Sequence, residues 1–318
     1  MRKNFGLMAS AVALTLAMAG CKQVPPVEIE PKEDMYLFSY FNGNGDGLHL
    51  AYSTDGLKWE TLRNDTVWLK PEIGKDKLMR DPSIVQDEEG TFHMVWTSGW
   101  WDQGIGYASS KDLITWSPQQ EVSVMKNFEG TRNTWAPELF YDKADKTFYI
   151  LWSSTVPGAF PELPTSDSEK GMNHRQYYVT TKDFKTFSDT KLFFEPGFSV
   201  IDGSILQKDD TYYLFVKNEN SAPAEKNIRL TKNSKPYDFP TEVSEPITGD
   251  YWAEGPAPLQ VGDYVYVYFD KYTQGKYGAI RSLDMQTWED VSDSVSFPQG
   301  IRHGTAFKVD AQIVENLK

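Results

Sequence analysis

Short runs dense in aromatic and β-branched side chains recur along the chain: Thr91-Phe92-His93-Met94-Val95-Trp96, Phe148-Tyr149-Ile150-Leu151-Trp152, Tyr212-Tyr213-Leu214-Phe215-Val216 and Tyr264-Val265-Tyr266-Val267-Tyr268-Phe269. Each is bounded by Gly, Asp or Lys turns, a pattern that predicts strands. No long stretch holds a helical period. The chain is therefore expected to be all-β.

A second phrase sets the period of repetition. It reads Ser53-Thr54-Asp55-Gly56-Leu57-Lys58-Trp59, then Ser110-Lys111-Asp112-Leu113-Ile114-Thr115-Trp116, Thr181-Lys182-Asp183-Phe184-Lys185-Thr186-Phe187 and Ser282-Leu283-Asp284-Met285-Gln286-Thr287-Trp288, with a degenerate copy at Thr231-Lys232-Asn233-Ser234. Spacings of roughly fifty to seventy residues point to propellers or solenoids. The phrase needs no chemistry: its Asp or Asn bonds nearby backbone amides in a turn, and the aromatic four residues later packs on the next unit. Each unit reads as an inner strand, an aromatic second strand, a third strand ending in the turn phrase, and a short outer strand. Repeated five times, this predicts a five-bladed β-propeller. The last inner strand, Ile301 to Val309, has no strands after it, whereas Met35 to Phe41, Leu48 to Ser53 and Trp59 to Leu62 stand unclaimed at the other terminus. Pairing the two ends closes the ring without a free edge.

The first 21 residues are set apart by Arg2 and Lys3, a largely apolar stretch from Phe5 to Ala19, and small residues before Cys21. That is the form of a secretory signal. Cys21, the single cysteine, sits where a bacterial lipobox would leave it as a lipidated amino terminus, and it excludes an internal disulfide. Residues 22–34, with Pro25, Pro26 and Pro31, read as a tether, and residues 35–318 as the propeller. The expected location is the bacterial cell envelope, outer membrane included, with contact to the membrane through the lipid alone. Removing Arg2 and Lys3 leaves 30 basic against 45 acidic residues, a net of −15 in place of −13. Such a charge repels polyanions and argues against nucleic acid as a partner.

Three inner-strand entrances carry a carboxylate: Asp81 in Arg80-Asp81-Pro82-Ser83, Asp202 in Ile201-Asp202-Gly203-Ser204, and Glu254 in Trp252-Ala253-Glu254-Gly255-Pro256. If these are equivalent places in the repeat, the acids meet around the propeller axis. Glycosidic cleavage with inversion needs one protonated and one ionised carboxyl roughly 6.5–9.5 Å apart. A third carboxylate beside Glu254 would raise its pKa, while a hydrogen-bonded Asp81 facing pocket water would stay charged.

These phrases, with Trp135-Ala136-Pro137-Glu138 and Arg302-His303-Gly304, resemble in order those of glycoside hydrolase family 43, over about residues 35 to 310. The resemblance implies a five-bladed propeller in which Asp81 is general base, Asp202 orients the acid and tunes its pKa, and Glu254 is general acid. Gly203 stands where the family frequently has Pro. The blade completed by amino-terminal strands resembles a subset containing α-L-arabinofuranosidases. The expected function is thus an inverting, exo-acting α-L-arabinofuranosidase on plant polysaccharide side chains. β-Xylosidase, exo-β-galactosidase, arabinanase and a non-catalytic glycan-binding lipoprotein are the alternatives.

Trp100, Trp101 and Trp135 are candidates for stacking on sugar faces, although a chain with 10 Trp, 17 Tyr and 18 Phe also needs aromatics between blades. Asn133 and Arg229 are candidate partners for sugar hydroxyls. Glu138 is expected to bond backbone inside its blade. His303 lies where the family often has a histidine near a central water or cation, so a structural cation beside it is an expectation; the reaction itself requires no cofactor. His49, His93 and His174 show no metal-ligand spacing. The calcium-like fragment from Asn42 to Gly47 lacks a bidentate Glu, since its twelfth position is Ser53. No nucleophile-elbow phrase is present. A loop from Val156 to Asn173 would decide between a closed pit and an open groove.

Overall fold

The computed structural model describes Met1, residues 34–161 and residues 171–318. The expected leader, Cys21 and the tether as far as residue 33 lie outside the described residues, as does the centre of the 156–173 loop.

The chain opens with β1 (Asp34–Tyr40), β2 (His49–Ser53) and β3 (Glu60–Thr61). The first complete blade follows as β4 (Arg80–Gln86), β5 (Phe92–Thr97), β6 (Ile105–Ser110) and β7 (Gln120–Val122). The second is β8 (Trp135–Asp142), β9 (Thr147–Ser154), β10 (Arg175–Thr181) and β11 (Lys191–Phe194). The third is β12 (Val200–Lys208), β13 (Thr211–Asn218) and β14 (Ile228–Asn233), and the fourth is β15 (Glu254–Val261), β16 (Tyr264–Lys271), β17 (Lys276–Ser282) and β18 (Glu289–Asp290). Each is an antiparallel sheet whose strands pair in chain order. The fifth blade has the order β19-β1-β2-β3, where β19 (Thr305–Asp310) pairs with β1 from Asp34↔Asp310 to Ser39↔Thr305. The protein is a five-bladed β-propeller closed by strands from both ends of the chain.

Two details depart from the sequence expectation. The third blade has no named fourth strand; its place is taken by a segment making two backbone bonds, Ser244 N to Leu230 O and Ile247 N to Ile228 O. This is also the blade whose turn phrase is degenerate. The second departure is α1 (Ala311–Leu317), one short helix after β19, capped by Asp310, whose carboxylate accepts from Gln312 N. It buries Val314 and Leu317 against the fifth and first blades, too few residues to leave a period in the sequence.

The period-two pattern explains how the blades stack. Along β1, Leu37 joins a cluster with Ile84, Phe92, Met94 and Trp96 of the first blade, while its neighbours Phe38 and Tyr40 join Leu259, Tyr266 and Tyr268 of the fourth. Alternate side chains thus face opposite neighbours. The same division gives a cluster between every adjacent pair of blades, so the aromatic strands are buried on both faces. The turn phrases behave as read. Ser110 Oγ accepts from Leu113 N at 2.8 Å, and Asp112 Oδ1 accepts from Ile114 N and Thr115 N at 2.9 and 2.7 Å. Ser282 and Asp284 repeat this with Met285, Gln286 and Thr287. The closing aromatics reach the adjacent blade, Trp59 against Tyr268 at 5.4 Å and Trp288 against Phe215 at 5.9 Å between ring centroids.

Because β19 is the inner strand of a blade otherwise made by the other terminus, deleting residues 301–318 should abolish the cooperative thermal transition, not lower it by a few degrees. Circular dichroism melts check this; a truncated protein melting cooperatively at the parent temperature would contradict closure through β19.

Candidate active site

Each of the first four inner strands begins with a β-bulge: the pairing register slips between Arg80 and Ser83, Trp135 and Glu138, Ile201 and Ser204, and Glu254 and Ala257. One residue in each bulge takes a left-handed backbone: Asp81 (φ 53°), Ala136 (φ 47°), Asp202 (φ 54°) and Gly255 (φ 62°). Bulges re-aim side chains, and Asp tolerates this conformation better than most residues. Asp81 and Asp202 therefore occupy one place in the repeat. Glu254 does not: it stands one residue earlier, in the place of Arg80, Trp135 and Ile201, and Gly255 is the counterpart of the two aspartates. The expected equivalence of all three acids is corrected accordingly. Gly255 is required twice over, since a Cβ there would meet the His303 ring as well as a strained φ.

The three acids nevertheless line one cavity of about 160 Å³, together with Arg80, Thr97, Trp100, Trp135, Glu219 and His303. Asp81 is buried; its Oδ2 accepts from Thr97 Oγ1 at 2.9 Å and its Oδ1 lies 3.5 Å from His303 Nδ1. Asp202 Oδ2 accepts from Gly255 N at 3.0 Å, and its Oδ1 lies 4.0 Å from the same imidazole nitrogen. Burial pushes the Asp202 carboxyl up to about 6, with His303 and Lys217 pulling the other way. Burial works against a charged His303, but Asp202, Asp81, Glu138 and Glu254 outweigh it and raise its pKa. Imidazolium at the axis is thus stabilised by carboxylates on several sides.

The charge state of Glu254 differs from the sequence expectation. Burial raises its pKa, yet Lys217, His303 and Arg302 together more than reverse this and hold it below the usual glutamate range. Lys217 Nζ lies 3.1 Å from Oε2, and Arg302 Nη2 lies 3.4 Å from Oε1. The carboxyl groups raised above their ordinary values are Asp202, Asp270 and the fully buried Glu138, the last to about 7, each chiefly by burial. Glu138 bonds the side chains of Ser83 in the first blade and Thr305 in the fifth, not backbone of its own blade.

Of the aromatic candidates, Trp100 and Trp135 form a wall of the cavity, with Trp135 Nε1 donating to Trp100 O at 2.8 Å. Trp101 lies outside it, 47% exposed, its ring 5.9 Å from that of Trp135. Asn133 is not at the rim. It is fully buried, donating to Ser153 O and accepting from Thr155 N, and so ties the β8 entrance to the end of β9. Arg229 lies away from the cavity on β14, held by Glu225, Asn227 and Ser244 O. Among the described residues no group of three or more His, Cys, Asp or Glu is arranged to hold a metal ion. The positive charge beside the acids is carried by His303, Lys217 and Arg302.

Sequence reasoning missed a set of polar residues at the ends of second strands. Thr97, Ser153, Lys217 and Asp270 pair across from Arg80, Trp135, Ile201 and Glu254. Three of them also reach the inner strand of the next blade, and the fourth the residues just before it: Thr97 Oγ1 accepts from Ala136 N, Ser153 Oγ from Asp202 N, Lys217 Nζ pairs with Glu254, and Asp270 accepts from Arg302 Nε, ahead of β19, at 2.7 Å. Ser39 continues the ring by donating to Pro82 O at 2.6 Å. The available signal was a polar residue closing an otherwise apolar strand, as in Phe215-Val216-Lys217 and Tyr268-Phe269-Asp270.

Residues 32–315 match the family described as "Probable glycosyl hydrolase domain", a relative of glycoside hydrolase family 43. The chain belongs to that family. The family is described as one of probable glycosyl hydrolases. An alpha-L-arabinofuranosidase of Bifidobacterium longum subsp. longum is 23% identical over 192 residues, covering 53% of this chain and 18% of that protein. The chain thus spans under a fifth of that relative's length. Among solved structures, an alpha-L-arabinofuranosidase from Lactobacillus brevis is 17% identical with a TM-score of 0.52, covering 67% of this chain and 72% of that one. A xylan beta-1,4-xylosidase from Bacillus halodurans is 23% identical with a TM-score of 0.50, covering 69% and 42%. At these identities the likeness is one of fold, and it agrees with the five family 43-like phrases at the axis.

Glu138 supplies a test of the axial electrostatics. A carboxyl held up at about 7 instead of 4.5 costs no stability below pH 4.5, progressively more from there to pH 7, and a constant amount above it. Glu138→Gln, which can still accept from Ser83, should therefore lose about 2–3 kcal/mol less than the parent between pH 5 and pH 8. Urea unfolding at the two pH values measures the difference; equal losses would contradict a protonated Glu138.

Proposed function

We propose that this protein is a glycosidase, an inverting, exo-acting α-L-arabinofuranosidase that trims side chains of plant polysaccharides. The observation that carries the reading is the meeting of Asp81, Asp202 and Glu254 in one cavity with Trp100 and Trp135 as its wall. About 160 Å³ suits a single terminal sugar better than a length of chain, which favours exo attack. Asp81, fixed by Thr97, activates the water. Glu254, on a different inner strand, first takes up a proton and then passes it to the leaving oxygen. Asp202 grips the backbone beside Glu254 through Gly255 N and so orients it. The choice of arabinofuranose follows the named activities of the Bifidobacterium and Lactobacillus proteins; xylose and galactose are the competing sugars, and arabinan backbone is the competing polymer.

The test is a screen of aryl α-L-arabinofuranoside, β-D-xyloside and β-D-galactoside with the first-formed anomer read by NMR. The expected result is preferential release of β-L-arabinofuranose, the inverted anomer. Faster xyloside or galactoside cleavage would reassign the sugar, and a retained anomer would overturn the mechanism. Asp81→Asn and Glu254→Gln should each lower turnover about 10²–10⁴-fold while leaving the thermal transition in place; near-parent turnover in either defeats its role.

The reading extends to a lipid anchor at Cys21 in the cell envelope. Cys21→Ala should move the protein from the membrane to the soluble fraction of fractionated cells, and unchanged membrane association would remove the anchor.

A further inference from the structure

Behind Glu254 lies a chain of alternating buried charges. Lys217, whose side chain is 2% exposed, places Nζ 3.1 Å from Glu254 Oε2 and 2.7 Å from Glu219 Oε2. Lys226, 3% exposed, stands 2.8 Å from Glu219 Oε1 and donates to the Glu219 carbonyl at 2.9 Å. The Tyr272 ring covers the Lys217 ammonium at 4.7 Å. Within this set two ammonium groups face two carboxylates while Glu254 is ionised. Protonating Glu254 removes one of the two carboxylates in contact with Lys217 and leaves that buried ammonium to Glu219, which Lys226 shares, a costly change. Burial alone disfavours charge on Lys217, but Glu219, Glu254 and Asp202 raise its pKa well above the ordinary lysine value, so Lys217 does not relieve the imbalance by losing its own proton.

Other groups face Glu254 as well. Arg302 approaches Oε1, but it is 37% exposed and its Nε is matched by Asp270. His303 and Asp202 lie on the axial side with opposite effects, and the Tyr272 and Tyr277 hydroxyls are held neutral by burial. Lys217 is the closer cation and the drier one, and an ion pair strengthens as both distance and solvation fall.

We propose that Lys217 is a positioning residue that fixes the Glu254 carboxyl and sets the pH at which it takes up its proton, with Glu219 sharing Lys217 and moderating its pull. The proposal rests on Glu254 being the proton donor, and it predicts shifts of opposite sign on the two sides of Lys217. In Lys217→Met the Glu254 titration midpoint should rise by about 1–3 pH units. In Glu219→Gln, where Lys217 is left to Glu254, it should fall.

The measurement is a ¹³C NMR titration of the whole protein labelled at glutamate carboxyls, with the Glu254 signal identified by its absence in Glu254→Gln. An unmoved midpoint, or shifts of the same sign in both variants, overturns the proposal. If Lys217→Met does not fold, Glu219→Gln decides by itself, a rise or no change being fatal. Lys217→Arg, which keeps the charge, should retain a depressed midpoint. The basic limb of kcat/KM on an aryl glycoside that the enzyme hydrolyses separates this idea from the one beneath it. That limb should track the NMR midpoint, and if the midpoint moves while the limb stays, Glu254 is not the donor although Lys217 does control it.

Discussion

Convergence of five inner strands on one axis forces ionisable groups into a space with little water, and each charge there needs a partner. The structure meets this constraint pairwise: Asp81 and Asp202 with His303, Glu254 with Lys217 and Arg302, Arg302 with Asp270, and Lys217 and Lys226 with Glu219. Carboxyls for which no cation remains keep a proton, as Glu138 does. Protonation states in the cavity are therefore a property of the set. Removing a single member redistributes protons among the others, so the effect of one substitution on the reaction includes what its neighbours do in response.

The blades and the cavity are held by different forces. Between blades, the aromatic and aliphatic clusters are non-directional, and they tolerate the replacement of a fourth strand in the third blade by two backbone bonds. At the axis, the contacts are directional and cross from the second strand of one blade to the first strand of the next or the residues leading into it. Such contacts fix the rotation of each blade relative to its neighbour to within a hydrogen-bond length. Apolar packing supplies stability, and the polar ring supplies the registration that a reaction site demands.

Most of the fold was legible because it rests on local signals. Strands such as Tyr264 to Phe269 are apolar on both faces, and the Ser-x-Asp turns are closed by their own side chains. The ring closure could be read from Ile301 to Val309 lacking partners downstream. The acids were legible as residues at strand entrances, but their relative placement was not: a bulge adds one residue without marking the sequence, and this hid the offset of Glu254 from Asp81 and Asp202. Asn133 and Arg229 were misplaced for a related reason. A polar side chain near an entrance points either to the cavity or into the blade, and only tertiary packing decides. Lys217 went unnoticed because a lysine ending a strand ordinarily reaches water, whereas here Glu219, Glu254 and Tyr272 enclose it.

The pairing of β1 with β19 also governs the order of assembly. Counted from the amino terminus, β1 to β3 can form a three-stranded sheet, yet one edge of β1 has no complement until nearly 270 further residues have joined. Four blades can stack behind it in sequence, each on the last, but no intermediate is a closed ring. Any partly folded form therefore carries an open, aromatic-rich flank until β19 docks, and that flank must be kept from pairing with other chains until the last strand is in place.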